Sequence, residues 1–370
     1  MALAPATTPA VSPSRAGAKE SRLPGLDGLR GVAILLVIAL HSAWIHIFPK
    51  RIGDALFRFT SPLDSMGVPL FFVLSGFLIT HLLLLAENRH GSINLGHFWL
   101  KRLIRIGPPV VAYVGFLVAF GWLTDLKDII VSLTLFLRDI IEPSSLTSHF
   151  WSLAIESQFY LVWPLVLALT PPARRLAMGC ILLAAFPLIR LAGVFVLSFN
   201  DYKLLTTILR FDFILMGCLI ALSYPSWAVT VFDVRKVVRL RLIGLFLCFT
   251  DAALSVRTGL NCMERGIYDP FRQLLAELQT VMGYVGVALV LASLLANSGR
   301  VYSIFHSRIL AWVGMISYSL YLWQQFFMYA ALPHWLTILW IKLPVTFLAG
   351  WVSYRLLERP FSGVRRRIEV

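Results

Sequence analysis

Apolar segments of about 20 residues recur along this chain of 370 residues, separated by short polar and basic stretches. A transmembrane helix needs about 20 mainly apolar residues, because the hydrocarbon core of a bilayer is about 30 Å thick. Backbone amides in that core must bond to one another, and runs of this length satisfy them as helices. We therefore predict an all-α, polytopic membrane helical bundle.

Ten segments meet the length criterion, with boundaries good to about 2–4 residues. The predicted spans are 30–48, 66–86, 107–125, 150–170, 176–198, 204–223, 241–257, 278–297, 308–330 and 334–357. The segment 241–257 is the weakest, because it is short and contains Asp251. A further apolar run at 129–141 is short and bounded by charges, so we expect an interfacial or re-entrant helix there.

The composition excludes other classes of protein. Hydrophobic residues make up 58% of the chain and charged residues only 14%, which rules out a soluble globular enzyme and a disordered chain. The net charge is +14, but its basic residues lie between the apolar runs, so we expect no nucleic-acid partner. The four cysteines form no C-x-x-C pair, so we expect core packing and no metal site.

Basic residues set the predicted orientation. With the N-terminus inside, cytoplasmic loops receive most of the positive charge, which is the positive-inside pattern. The residues concerned include Arg89, Lys101, Arg102, Arg105, Arg174, Arg175, Arg235, Lys236, Arg239, Arg241, Arg300 and Arg308. They outweigh Lys50, Arg51 and Arg58 in the first outer loop. We expect a cell (inner) membrane protein with both termini in the cytoplasm.

Three regions follow from this pattern. Residues 1–24 are rich in Ala, Pro and Ser and lack the apolar stretch of a signal peptide, so we expect a disordered cytoplasmic tail. Residues 25–362 form the predicted membrane domain. Residues 363–370 form a basic cytoplasmic tail.

Ionisable groups inside the spans are the candidate functional residues, because each costs about 2.5–3.5 kcal/mol to insert. Arg30 and His41 lie eleven residues apart on the first span, which places them on one helix face about 16 Å apart. Histidine takes and returns protons near neutral pH. His41 is therefore a catalytic candidate, although a structural role is an equal alternative for a lone intramembrane histidine.

Glu156 on the fourth span is the second catalytic candidate, at a predicted depth close to that of His41. Ser152 and Tyr160 lie four residues before and after it, so the three form one polar stripe. Four further polar or basic groups in or near the spans are candidate binding residues: Ser75, Arg210, Tyr318 and Arg30. Mutual charge pairing is the alternative for Arg210 with Arg190 and Asp212, and packing is the alternative for Ser75.

Arg102 and Arg105 precede Pro108 and Pro109 at the predicted start of the third span. Guanidinium groups bind phosphate well, so these two residues are candidates for holding a phosphorylated donor. Topology and contact with anionic membrane lipids are the alternative role.

Several ordered motifs together resemble the integral membrane acyltransferase family three, which includes bacterial O-acetyltransferases that act on sugars. The resemblance covers roughly residues 22–362. The motifs are Leu26–Gly31 with His41, Phe71–Leu78, Arg102–Pro108, Trp151–Glu156 with Phe159–Tyr160, Arg210–Phe211, Gly314–Trp323 and Glu358–Pro360.

The resemblance implies an essential His41 with Arg30 as its companion, a basic pair Arg102 and Arg105 near the donor, and an acidic position at Glu156. Some family members carry an appended hydrolase-like domain. Its absence here leads us to expect direct transfer within the membrane domain. The implied donor is acyl-CoA, most simply acetyl-CoA, used as a co-substrate with no permanently bound cofactor.

The predicted activity is therefore transfer of an acyl group to a hydroxyl of a surface or secreted carbohydrate. His41 would act as general base or form an acyl-imidazole, and Glu156 would orient the imidazole. Acylation of a small metabolite is the runner-up acceptor reaction. A transporter without covalent chemistry and a non-catalytic scaffold are the two competing functions, and the chain has no visible repeat of the transporter kind.

Overall fold

The computed structural model describes residues 25–43, 50–134, 136–137, 140–141, 144–198, 205, 209–227, 233–258, 270–296, 304–330 and 339–367. All regular elements in this part of the chain are helical, as the predicted all-α class requires. The α-helices are α1 (Leu26–Ala43), α2 (Lys50–His90), α3 (Leu95–Ala119), α4 (Leu126–Thr134), α5 (Phe150–Leu169), α6 (Arg175–Val196), α7 (Asp212–Trp227), α8 (Val234–Thr258), α9 (Pro270–Leu295), α10 (Arg308–Met315), α11 (Ser317–Tyr329), α12 (Leu339–Ser353) and α13 (Arg359–Arg367).

Five stretches of helix are long and apolar enough to cross a membrane by length and composition. They are Met66–His90, Leu95–Ala119, Phe150–Leu169, Pro172–Val196 and Leu274–Leu295. The chain is a helical membrane protein, and the count of ten spans stays a prediction. The predicted N-terminal tail, residues 1–24, lies outside the described residues, as do residues 368–370 and Cys262.

Hydropathy located some helices well and missed the ends of others. Helices α5 and α6 begin and end within two residues of the predicted spans 150–170 and 176–198. Helix α3 begins at Leu95, where the Asn94 side chain accepts a hydrogen bond from the His97 amide at 3.0 Å. Pro108 and Pro109 therefore lie inside α3 and not at its start, because the polar turns before them are also helical.

The predicted ninth span, 308–330, is two helices in the structure. Ile316 separates α10 from α11, with backbone angles φ −94° and ψ 4°. A window average over hydropathy cannot detect such a break, because every residue around it is apolar or small. A new helix therefore begins at Ser317, and its first residues face the interior cavity described below.

Close helix contacts at glycine hold the bundle together. A Cβ at Gly76 on α2 would lie 1.8 Å from the Ile214 carbonyl oxygen on α7, and one at Gly217 would lie 1.9 Å from the Val73 carbonyl oxygen. The two backbones therefore touch reciprocally, as small residues allow in membrane helices. The Ser75-Gly76 pair thus brings a second helix next to α2.

Arg190 joins three helices through two carboxylates. Its Nη2 lies 2.7 Å from Asp212 Oδ2 and 2.8 Å from Glu277 Oε2, and all three side chains are largely buried. Mutual pairing was the structural alternative for Arg190 and Asp212, and it is confirmed for those two. The structure adds Glu277 to this pair, and the Arg210 side chain is exposed.

The described cysteines correct one expectation. Cys218 and Cys248 are buried in the core, but Cys180 is exposed. Helix α6 lies at the edge of the bundle and buries only a few of its residues, so Cys180 faces outward.

Candidate active site

One interior cavity lies between helices α1, α2, α3, α5 and α11. Its polar and charged lining comprises Arg30, Ser75, Arg102, Arg105, Ser152, Glu156, Tyr160, Ser317, Tyr318 and Tyr321. Eight of these ten were candidate site residues from the sequence. The fold therefore brings side chains from distant parts of the chain into one site of mixed charge.

Three arginines give the cavity its positive charge. Arg102 and Arg105 lie three residues apart on α3, so both face the same side of the helix. The Arg102 guanidinium lies 5.3 Å from the ring centroids of Phe98 and Tyr160, which is cation–π distance. Arg30 reaches the same space from α1. This arrangement can bind phosphate groups or other anions.

Glu156 is the acidic centre of the site. The Tyr160 hydroxyl donates a hydrogen bond to Glu156 Oε2 at 2.9 Å, and Ser75 Oγ lies 2.6 Å from that hydroxyl. Ser75 also hydrogen-bonds to the Glu156 carboxylate, so the two hydroxyls and the carboxylate are all in contact. Arg30 and Arg105 lie within electrostatic range of the carboxylate and partly neutralise it.

A second hydrogen-bonded group lies about one to two turns earlier along α5. Ser152 Oγ and the Tyr321 hydroxyl are 2.5 Å apart, and Tyr321 donates to the His149 carbonyl oxygen at 2.9 Å. The His149 ring packs edge-on against Tyr321, with centroids 5.4 Å apart. These contacts fix α11 against α5 at one end of the cavity.

Glu358 supports the site from outside the lining. Its carboxylate accepts a hydrogen bond from Ser319 Oγ at 2.5 Å, and it lies within electrostatic range of Arg105 and Arg30. Burial raises the pKa of this carboxyl above its ordinary value, while the Ser319 hydrogen bond and the two arginines act in the opposite direction.

Two candidate residues are not in the cavity lining. The first is Arg210, which is exposed in the turn before α7. The second is His41, whose ring lies 5.9 Å from the Tyr329 ring in an edge-on contact. The expected common depth of His41 and Glu156 does not hold: Glu156 lies with Arg30, and His41 lies three helical turns along α1 from Arg30.

The hydrogen bond of His41 defines its tautomer. Nδ1 lies 2.9 Å from the Val37 carbonyl oxygen, which can only accept, so Nδ1 carries a proton. In the neutral imidazole the lone pair is then on Nε2. Val37 packs against Gly67, which precedes the cavity-lining residue Val68. His41 follows Val37 by four residues on α1 and therefore lies about one helical turn beyond this end of the cavity.

Sequence reasoning gave neither Tyr321 nor Ser317 a site role, although both lie within the Gly314–Trp323 motif. Both lie on the face of α11 that lines the cavity, and their spacing of four residues was a usable signal once α11 was known to begin at Ser317. Sequence reasoning named Glu358 only as part of the Glu358–Pro360 motif and assigned it no role. Among the described residues, no group of three His, Cys, Asp or Glu side chains is placed to hold a metal ion.

Comparison with known proteins gives one family and several relatives. A family described as an acyltransferase domain matches residues 23–357. A protein of Staphylococcus aureus (strain COL) that is named as an O-acetyltransferase is 29% identical over 379 residues, which cover 93% of this chain and 58% of that protein. The O-acetyltransferase OatA of Staphylococcus aureus (strain NCTC 8325 / PS 47) is 29% identical over 376 residues, which cover 91% of this chain and 57% of OatA.

This chain therefore spans less than two thirds of the length of these curated relatives. No solved structure matches it significantly.

Proposed function

The chain belongs to the acyltransferase domain family, and from that premise we propose that it is a membrane O-acyltransferase. The donor is an acyl-CoA, acetyl-CoA in the simplest case, and the acceptor is a hydroxyl of a surface or secreted carbohydrate. The observation that best supports this proposal is the cavity. It is lined by three arginines and Glu156, and one of its ends lies about one helical turn from His41. The names of the relatives support an O-acetyl product.

In this proposal the arginine end binds the donor. Arg102 and Arg105 hold phosphate groups of the CoA moiety at the cytoplasmic side, where their charge also sets the orientation of α3. The acyl thioester extends past Ser75 and Glu156 toward Tyr321. In this proposal the surrounding helices limit the access of water to the thioester and so slow its hydrolysis.

His41 performs the proton transfer. Nε2 accepts the proton of the acceptor hydroxyl while the hydroxyl oxygen bonds to the thioester carbonyl carbon. The carbon–sulfur bond then breaks, the acyl ester forms, and the imidazolium returns its proton to the CoA thiolate. A transient acyl-imidazole on Nε2 leads to the same products in two steps.

Glu156 acts inside the cavity in this mechanism, not behind the imidazole as the sequence suggested. The Val37 carbonyl already holds Nδ1 of His41, so no carboxylate is needed to fix the tautomer. Glu156 instead balances Arg30 and Arg105 and orders the Tyr160 and Ser75 hydroxyls beside the donor.

The direct test uses the purified full chain in detergent with radiolabelled acetyl-CoA and short oligosaccharides. The proposal expects an alkali-labile ester on the sugar and one acetyl mass increment by mass spectrometry. In proteoliposomes, movement of label across the membrane without any covalent product would contradict it and favour a transporter.

We further propose a bacterial inner-membrane location with both termini in the cytoplasm. The distribution of Lys and Arg between predicted loops supports this orientation. Cysteine labelling of the two ends in intact cells, with an impermeant thiol reagent, tests it, because cytoplasmic ends stay unlabelled until the cells are opened.

A further inference from the structure

Gln324 on α11 carries a buried amide without a hydrogen-bond partner among the described residues. The residue is 0% exposed, and neither its Nε2 nor its Oε1 is bonded. A buried amide without partners costs free energy, because it loses the hydrogen bonds that water gave it in the unfolded chain. Each such group in a folded protein therefore needs an explanation, and a missing ligand is one.

Gln324 lies on the side of α11 that faces the cavity. Ser317 and Tyr321 both line the cavity, and Gln324 follows them by seven and three residues. At 100° per residue this spacing keeps all three on one face, with Gln324 about 4.5 Å farther along the axis than Tyr321. Ser317 Oγ is likewise buried without a partner among the described residues, so both ends of this face have unused hydrogen-bonding capacity.

The direction of α11 shows which reactant would reach Gln324. The helix begins beside the arginines, where Tyr318 donates to the Ile106 carbonyl oxygen at 2.8 Å. It ends at Tyr329, whose ring contacts His41. Gln324 therefore lies past the polar lining of the cavity and on the way to the imidazole, on the acceptor side of the proposed transfer.

The two unused atoms of Gln324 call for a ligand with a hydrogen-bond donor beside an acceptor, and the position of Gln324 on the acceptor side favours the acceptor over the amides of the CoA arm. A thioester carbonyl can only accept, so it would use Nε2 and leave Oε1 unbonded. Adjacent hydroxyl groups can donate to Oε1 and accept from Nε2 at once. We infer that the Gln324 amide binds neighbouring hydroxyls of the acceptor, a carbohydrate or similar polyol. This inference rests on the proposed function.

The test compares Gln324→Leu with the wild-type full chain in detergent. Leucine has nearly the same size and needs no partner, so the melting temperature of the ligand-free variant stays equal or rises by about 1–3 °C. Acetyl-CoA affinity stays unchanged. The KM for the acceptor rises by about 10–100-fold, because the sugar hydroxyls lose their partner. The acceptor probes are chitotetraose and maltotetraose.

Gln325→Leu is the matched control, one residue along the same helix. Gln325 Nε2 donates to the Ser145 carbonyl oxygen at 2.6 Å and to Ser148 Oγ at 2.8 Å, so its loss lowers the melting temperature. Three results overturn the inference for Gln324→Leu: a fall in melting temperature equal to that of the control, a loss of acetyl-CoA affinity, or an unchanged acceptor KM.

The test also separates this inference from the proposed function. If the wild-type chain consumes no acetyl-CoA and acetylates neither sugar, the proposed function fails. The melting temperatures still decide whether the Gln324 amide has a structural partner, and a fall for Gln324→Leu as large as that of Gln325→Leu overturns the inference on its own.

Discussion

The Tyr160 hydroxyl donates a hydrogen bond over 2.9 Å to Oε2 of Glu156, one turn back along the same helix. Ser75 on α2 extends this contact to a neighbouring helix, with its Oγ 2.6 Å from the Tyr160 oxygen. Three groups on two helices thus form one chain of hydrogen bonds beside the cavity arginines. The carboxylate is fixed in place before any substrate binds.

Removing the Tyr160 hydroxyl tests whether the fixed position of the Glu156 carboxylate contributes to acyl transfer. We expect Tyr160→Phe to lower kcat/KM by about 10–100-fold, because Glu156 loses a charge-assisted hydrogen bond beside the donor. The measurement is steady-state transfer from acetyl-CoA by the purified variant.

Tyr113→Phe is the matched control for that change. Its hydroxyl is also buried and donates to the Leu146 carbonyl oxygen at 2.8 Å, but it does not line the cavity. This variant should lose about 1 kcal/mol of stability and keep its transfer rate. Equal losses of activity in both variants would show that the Tyr160 effect is only structural.

Arg102 tests the donor-binding role. Arg102→Gln should weaken acetyl-CoA binding by about 10-fold or more, because a phosphate loses a charge-assisted partner. Higher ionic strength should weaken wild-type binding more than binding by the variant. Equilibrium binding of acetyl-CoA at two salt concentrations measures both effects.

Lys101→Gln removes the same charge one residue away, at a position outside the cavity lining. It should leave acetyl-CoA affinity within about twofold of wild type, since a partly solvated charge that does not touch the donor is screened. If Lys101→Gln and Arg102→Gln weaken binding equally, the general positive charge of α3 attracts the donor and no specific contact is needed.

The sequence was sufficient for much of the fold because bilayer thickness dictates helix length. It located α5 and α6 almost to the residue. It failed at Ile316, where a one-residue break divides an apolar run, and at Leu95, where a polar turn continues α3 beyond the lipid-sized segment. Both failures concern backbone geometry, which hydropathy does not record.

The candidate site was predictable where residues share one helix. Spacing alone placed Ser152, Glu156 and Tyr160 on one stripe, and the structure puts all three in the cavity lining. Depths on different helices were less reliable, because helix shifts and long side chains change the level at which two groups meet. Arg30 therefore reaches Glu156, while His41 lies farther along α1.

The contact between α2 and α7 provides a stability prediction. Gly76→Ala places a methyl group against the Ile214 carbonyl oxygen, so the helices must separate, and we expect a loss of about 1–3 kcal/mol. Gly217→Ala should act in the same way through Val73. Thermal unfolding of the purified variants in detergent measures both.

Gly115→Ala is the control for this pair. Gly115 lies on α3 with no atom within 4 Å of the position of an added Cβ, so alanine should be neutral or slightly stabilising. A loss of stability at Gly115 equal to that at Gly76 would contradict close helix contact as the cause of the Gly76 effect.

His41 provides the prediction on the proton-transfer step. His41→Gln should abolish measurable acyl transfer and leave acetyl-CoA affinity unchanged, because the imidazole lies beyond the cavity that holds the donor. Glutamine can still donate to the Val37 carbonyl oxygen but cannot take up a proton at neutral pH. Transfer and binding are measured on the same preparation.

His81→Gln is the matched control, because His81 stacks on Phe77 with ring centroids 5.7 Å apart and does not line the cavity. It should keep both binding and transfer. Full transfer by His41→Gln would exclude this residue as the base. Loss of acetyl-CoA binding in that variant would instead place His41 in the donor site, since a base for the acceptor hydroxyl makes no contribution to donor affinity.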